Sequence, residues 1–334
     1  MSDPGSPPPR PPENGVALLT VLLLVAVMAV IAATALDRLQ LSTRLAANAG
    51  SVTQARAFAL AAEQIATARI EDLVAADAAQ TTLQGGWMGT PRELPIPGGT
   101  AVATVRDGGN CFNLNSLVKE DRSGAYISAP FALQQFVRLM ETIGIGRDAA
   151  YVIATSAGDW IDSDQAPIPG GAEDSYYQGL ETPYRPPNHL MQSASELRAV
   201  NGVTPEYWQL LKPWVCALPM AELSPINVNT LLPDQAPLLA MLIPQGNLDL
   251  RAASAYLARR PEGGWGSLPN FWSAPFLKEL DPRNEATTQT KLKTEWFTLD
   301  AMISLGNSEV RERALIDARQ APVRVLWRDW GEDA

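Results

Sequence analysis

Apolar positions along the chain fall into three regimes, and each predicts a different structure. The first is unbroken. Val16 to Leu36 reads VALLTVLLLVAVMAVIAATAL, without charge, Gly or Pro, and its only polar side chains are Thr20 and Thr34. About 20 helical residues cross a ~30 Å hydrocarbon layer, so this stretch predicts a membrane-spanning helix. The second regime is periodic. From Asp37 to Leu83 there is no Pro and only Gly50, and Leu41, Leu45, Val52, Phe58, Ile65, Ile70 and Leu73 recur at helical spacing. The helix is therefore expected to run on out of the membrane and become amphipathic. The third regime alternates. Thr100 to Arg106 (TAVATVR) and three runs between Trp296 and Trp330 (EWFTLDAMISLG, EVRERALIDAR, PVRVLWRDW) switch between apolar and polar residues, as strands with one buried face do.

Between these strands the pattern turns helical. Phe131 to Ile143, Tyr151 to Ile161, Ile226 to Leu242 and Leu248 to Arg260 carry apolar residues at helical spacing, and Ser193 with Glu196 reads as a capping box. Gly85 to Pro97 (GGWMGTPRELPIP) reads as a turn-rich stretch that closes the long helix, and 107–117 as a turn followed by an extended segment. Residues 162–187 form a long irregular segment dense in Pro, Gly, Asp and Glu, and such a loop inside a compact domain is functional or held by something other than a core. The aromatics Trp265, Phe271, Trp272 and Phe276 read as core of this middle block rather than as a partner patch. The expected fold is α+β: a long N-terminal helix packed on a small antiparallel sheet built from 37–118 and 286–334, with an α-helical domain, 119–285, inserted between strands.

Charge and composition remove several functions. The chain has 334 residues and a formal net charge of −10, which argues against a nucleic-acid partner, because phosphate binding relies on clustered Lys and Arg. Its single histidine, His189, lies in a PPNHLM turn, and no G-x-S-x-G elbow occurs, so nucleophilic catalysis has no support and no enzyme activity is expected. Two cysteines and one histidine do not make a zinc site. Cys111 and Cys216 leave two readings open, a disulfide or two separate buried thiols, the first favoured in an oxidising compartment. The segment from Asp159 to Asp174 supplies Asp159, Asp162, Asp164, Glu173 and Asp174, and its residues read either as a solvated acidic loop or as oxygen donors for a hard cation. It lacks the spacing of an EF-hand. A carboxylate acid–base pair here is disfavoured, since no second carboxylate in a distinct apolar pocket is apparent.

Residues 1–15, MSDPGSPPPRPPENG, are polar and Pro-rich and end in Gly15 directly before the apolar run. This arrangement resembles the substrates of prepilin peptidase, which implies a cut between Gly15 and Val16 that leaves the helix attached. A secretory signal peptide would have a shorter apolar core and a small-x-small cleavage site, for which Ala32, Ala33 and Ala35 are weak candidates. A continuous helix that begins in the membrane and projects outward is similar to the spine of type IV pilins and pseudopilins.

The order of Phe112-Asn113-Leu114-Asn115, Asp159-Trp160-Ile161-Asp162, Pro169 to Tyr177, Ser195 to Gly202 and Asn227-Val228-Asn229-Thr230 resembles the protein K family of the type II secretion system, over nearly the whole chain after the leader. That resemblance implies a minor pseudopilin anchored by one helix in the inner membrane, with its C-terminal part in the periplasm. It implies as partners other minor pseudopilins, the inner-membrane secretion platform and prepilin peptidase. It also implies one or two Ca²⁺ ions on the five carboxylates named above. Most pilins carry Glu at the fifth mature position; counted from Val16, this chain has Thr20 there, as members of this family typically lack the Glu. Thr20, Leu23, Val27 and Val30 are the expected helix face toward sister subunits. The segments SELRAVNGVT and INVNT also look like small helical modules that elsewhere grip DNA backbone, but their hairpins are not basic, which favours a protein-binding or structural use. The rival readings are a minor pilin of another type IV filament and a membrane-anchored hydrolase.

Overall fold

The computed structural model describes residues 14–331; of the leader, 1–13 lie outside that range. Helix α1 (Asn14–Ala76) is one uninterrupted rod of 63 residues, about 95 Å long at ~1.5 Å per residue. Its N-terminal part is long and apolar enough to cross a membrane, with a mean hydropathy of 3.0 over the best window. The helix stops short of the expected Leu83. Asp77 Oδ1 accepts hydrogen bonds from the backbone N–H of Ala79 and Gln80, an Asx turn that competes with the next helical turn.

From Ser51 onward α1 rests on a five-stranded antiparallel sheet in the order β1 (Arg92–Ile96), β2 (Gly99–Asp107), β9 (Trp296–Leu305), β10 (Ser308–Asp317), β11 (Arg324–Trp330). The contact is lined by small residues: Ala55, Ala59, Ala62 and Ala66 on the helix, and Ala101, Ala103, Ala301 and Ala314 on the sheet, all buried. Short side chains on both surfaces let the backbones approach closely. Phe297, Leu299 and Ile316 fill one end of the interface and Ile303 and Leu305 the other.

Strand β1 falls where a turn-rich stretch is expected. Pro95 and Pro97 argue against a strand, yet β1 is an edge, where a missing N–H costs no ladder bond. It pairs antiparallel with β2 across a tight turn in which Gly98 takes φ +78°, a left-handed conformation suited to Gly.

Residues 108–295 form the insert. In chain order it holds β3 (Phe112–Asn113), β4 (Val118–Glu120), β5 (Tyr126–Ser128), α2 (Pro130–Thr142), α3 (Arg147–Ile161), α4 (Asp174–Gln178), α5 (Pro205–Leu211), β6 (Val215–Cys216), β7 (Ile226–Asn227), α6 (Ala236–Met241), α7 (Leu250–Ala258), α8 (Leu268–Trp272), α9 (Pro275–Lys278), α10 (Asn284–Gln289) and β8 (Thr290–Lys291). One apolar core joins these pieces, with Phe112 stacked on Phe136 at 4.6 Å. That core also takes in Leu114, Leu117, Val118 and Ala286, so the insert extends on both sides of 119–285. The reason is pairing: β3 lies parallel to β6, and β7 parallel to β8, which draws both connecting segments into the insert. Trp265, Phe271 and Phe276 gather around Tyr256, and Trp272 donates its indole N–H to Thr290 Oγ1, so the aromatics are core. Residues 226–242 are not a helical run: Ile226–Asn227 is β7, and only Ala236–Met241 is α-helix. The capping box at Ser193 is formed, but it opens a 3₁₀ turn, Ala194–Ala199.

Candidate metal centre

Three carboxylates converge where α3 ends. Asp159 sits in the last turn of α3, Asp162 is the extended residue that follows it, and Glu173 is the N-cap of α4 on the far side of the loop. One oxygen from each lies within 4.8 Å of the others, and all three residues are buried. Among their oxygens, Asp159 Oδ2, Asp162 Oδ1 and both of Glu173 are buried without a hydrogen-bond partner. Asp159 Oδ1 is satisfied by the backbone N–H of Ile168, which folds the loop back over the trio.

Burial is the main reason their acidities shift, and mutual repulsion adds to it. Asp162 and Glu173 are pushed up to about 7, and Asp159 to about 6. Four carboxylate oxygens buried together without hydrogen-bond partners are unfavourable unless protons or a cation neutralise the charge. The donors are all hard oxygens, and the backbone carbonyl of Ile168 also faces Gly171 beside Asp159 Oδ2. Such a set suits Ca²⁺, which takes 6–8 oxygens at about 2.3–2.6 Å. Gly171 is part of the cradle: a Cβ there would collide with Asp159 Oδ2 and crowd the Ile168 carbonyl.

Of the five carboxylates expected to act together, the structure gathers three. Asp164 is exposed and closes an Asx turn with the N–H of Ala166, although its charge helps to push the pKa values of the trio up. Asp174 turns outward, where Oδ2 accepts from the Gln178 amide and lies 3.8 Å from Arg185 Nε. Their positions follow from the loop: residues 163–167 run along its exposed rim, and Asp174 is already on the first turn of α4. His189 is exposed, with Nδ1 2.8 Å from the carbonyl of Leu190.

The Asn-rich motifs turn out to be brackets. Asn113 donates to the carbonyls of Met220 and Glu222 and accepts from the N–H of Leu218. Asn115 likewise ties Met191 to Leu218. Asn227 donates to Thr81 O and Thr294 Oγ1 while its own N–H goes to Asn110 Oδ1. An amide offers two donors and an acceptor, so one buried Asn can close several loops that no ladder serves. At the middle of the Asn227 bracket is Asp107, the last residue of β2, whose place in the sequence suggests only a turn. Its Oδ2 accepts from the hydroxyls of Thr230 (2.6 Å) and Thr294 (2.5 Å), and its Oδ1 from the N–H of Gly109. The thread DGGN followed far downstream by INVNT held the only signal, and it becomes legible only once the two are seen together. Beside this junction Cys111 and Cys216 are joined as a disulfide, Cα atoms 5.9 Å apart, linking β6 to the residue just before β3.

Within α1, Leu23, Val27 and Val30 are exposed, and Thr20 donates its hydroxyl to the carbonyl of Ala17 in its own helix.

Two models of type II secretion system (T2SS) protein K match the chain, over residues 110–220 and 226–294. Type II secretion system protein K of Pectobacterium carotovorum subsp. carotovorum is 32% identical over 323 residues, spanning 96% of this chain and 98% of that one. The same protein of Klebsiella pneumoniae is 34% identical across 96% of this chain and 97% of its own, and that of Aeromonas hydrophila 36% across 76% and 77%. Among solved structures, a chain in the crystal structure of the GspK-GspI-GspJ complex from the enterotoxigenic Escherichia coli type 2 secretion system superposes with a TM-score of 0.73 at 31% identity, covering 84% of this chain and 96% of that chain. Fold, motif order and near full-length identity agree: the chain belongs to the type II secretion system protein K family.

Proposed function

We propose that this chain sits as a single copy at the tip of a short periplasmic pseudopilus, starts its assembly together with other minor pseudopilins, and thereby supports protein export. The observation that carries this is the state of α1. Residues 15–50 are exposed throughout, with Leu and Val on every side of the membrane stretch, whereas the helix beyond Ser51 is packed on the sheet. A helix apolar on all faces is at home in lipid or among like helices, and in nothing else. Prepilin peptidase would free Val16 on the cytoplasmic side, the helix would anchor the chain in the inner membrane, and the secretion platform would be the place from which it is drawn into the assembly. A neighbour named for a complex of three such proteins supports minor pseudopilins as the partners. Thr20 supports a terminal place, since a neutral hydroxyl, unlike a carboxylate, cannot neutralise the terminal ammonium of a subunit above it. The insert, residues 108–295, is also more than half of the chain, which suits a cap better than a stacked repeat.

The same reading gives the carboxylate trio its role. Asp159, Asp162 and Glu173 would hold Ca²⁺ and so pin the loop between α3 and α4, a segment with little regular structure of its own. The ion would replace the protons that burial otherwise keeps on these groups. Full-length protein in detergent, stripped with chelator and then given millimolar Ca²⁺, is expected to gain about 5–10 °C in melting temperature, on the order of 2.7 kcal/mol at a hundredfold excess over Kd. Equal melting with and without Ca²⁺ would overturn the assignment.

A further inference from the structure

Apart from a hydrogen bond from the Ser308 hydroxyl to Asn48 Oδ1 at its margin, the interface between α1 and the sheet is apolar except at one level. There Glu63 of α1 faces Glu312 of β10, and both are buried, their side chains 1% and 0% exposed. Arg328 of β11 reaches in from the edge and grips Glu63 with two hydrogen bonds, Nε to Oε2 at 2.9 Å and Nη2 to Oε1 at 2.8 Å. Glu312 is left with nothing but a long approach, 3.5 Å from Arg328 Nε, and neither of its oxygens has a hydrogen-bond partner. One guanidinium thus serves two buried carboxyls. The layer splits the apolar contact in two, with Ala55, Ala59 and Ile303 on one side and Ala66, Phe297 and Ile316 on the other.

Among the described residues, the remaining surroundings do not supply a second cation. On α1 the nearest other charges are Arg69, six residues on, which is exposed to solvent beside Asp72, and Arg56, two turns back, which is stacked over Trp330 at 5.5 Å. Strands β2 and β9 present Ala101, Ala103 and Ala301. Arg106 and Arg313 both donate to Asp300 on the opposite face of the sheet. A second anion in this slot has no compensation, and burying an uncompensated charge is costly.

We propose that Glu63, Glu312 and Arg328 form a proton-dependent clasp that sets how firmly the folded head grips its helix. With a proton between the two glutamates, the site carries one negative and one positive charge and is shut. When Glu312 ionises, two carboxylates compete for one guanidinium, and the head loosens on the rod. The acidity of Glu312 agrees: burial first, then the neighbouring Glu63, push it from the usual 4.5 up to about 7. Because the folded state holds this proton more tightly than the unfolded chain, its contribution is complete below about pH 4.5 and is lost as the pH rises through about 7. In acidic surroundings the helix and head move as one piece. In alkaline surroundings the joint can open, which frees the helix to tilt or slide when it is packed among others.

The test is hydrogen exchange on the full-length protein in detergent, read at the amides of 55–70 and compared between wild type and Glu312→Gln at each pH from 5 to 9. Pairing the two proteins at one pH cancels intrinsic exchange rates and the titration of the metal centre. Gln is neutral at every pH, so protection is expected to agree within a few-fold at pH 5 and to be on the order of a hundredfold greater in the variant at pH 8, the ratio climbing between about pH 4.5 and 7 and levelling off above. Should Glu312→Gln not fold, Glu63→Gln leaves Glu312 alone with Arg328 and is expected to abolish the loss of protection that wild type should show between pH 5 and 7. The clasp is refuted by a ratio that stays flat from pH 5 to 9, by better protection of wild type at pH 8, or by a Glu63→Gln protein that keeps the wild-type pH dependence.

Discussion

Gly171 shows how little room the carboxylate trio leaves. Its missing side chain is what allows the loop to close over Asp159 Oδ2 and to bring the Ile168 carbonyl alongside. A methyl group at this position must push one or the other away, and since Asp159 is buried at the end of α3 the displacement falls on the loop. We therefore expect Gly171→Ala to fold but to lose most of the Ca²⁺-induced rise in melting temperature. An undiminished rise in that variant would mean that the ion is held without the loop backbone. The residues that carry this chemistry were legible one by one in the sequence, because acidic side chains in a Pro- and Gly-rich loop are easy to notice. Which of them converge was not. Asp164 and Asp174 have the right chemistry and stand two positions and one position from trio members, yet an Asx turn and a helix start aim them elsewhere. Side-chain direction in an irregular loop depends on φ and ψ at each residue, and no periodicity reports it.

Among the elements, those with a strong period were readable, and those held by single side chains were not. The continuous apolar run and the alternation of β9, β10 and β11 have direct counterparts in the structure. The two-residue strands β3, β6, β7 and β8 leave no pattern, since their pairing is imposed by Asn110, Asn113, Asn115 and Asn227 from far along the chain. The same holds for 226–242, where apolar spacing suggested helix and a bracket through Asn227 pulled Ile226 and Asn227 into a strand. Asp107 joins these elements to the sheet, and its geometry makes a sharp prediction. Its Oδ2 receives two hydroxyls and its Oδ1 a backbone N–H, so all three partners donate. Asp107→Asn must turn an NH₂ group toward one of these donors. A lost hydrogen bond plus an unsatisfied buried group costs about 1–3 kcal/mol, so the insert is expected to melt some 2–10 °C lower while retaining its Ca²⁺ response. Unchanged melting would show that the bracket is not what fastens the insert to β2.

At the level of the molecule, one helix serves two surroundings in turn. Residues 15–50 of α1 bury nothing extensive within the chain, while 51–76 belong to a packed head, so the protein carries a complete fold and an incomplete one. The incomplete part requires lipid or neighbouring helices, and in the proposed function the head, with its insert and its candidate metal loop, would give the assembly an end. The direct measurement is native mass spectrometry of the detergent-extracted assembly formed when this chain is expressed with prepilin peptidase and the other minor pseudopilins of its system. The expected species contains one copy of this chain, beginning at Val16, with at least two different minor pseudopilins. A chain that still begins at Met1, that remains a monomer beside its intended partners, or that enters in several copies would contradict a single cap at the tip of a pseudopilus.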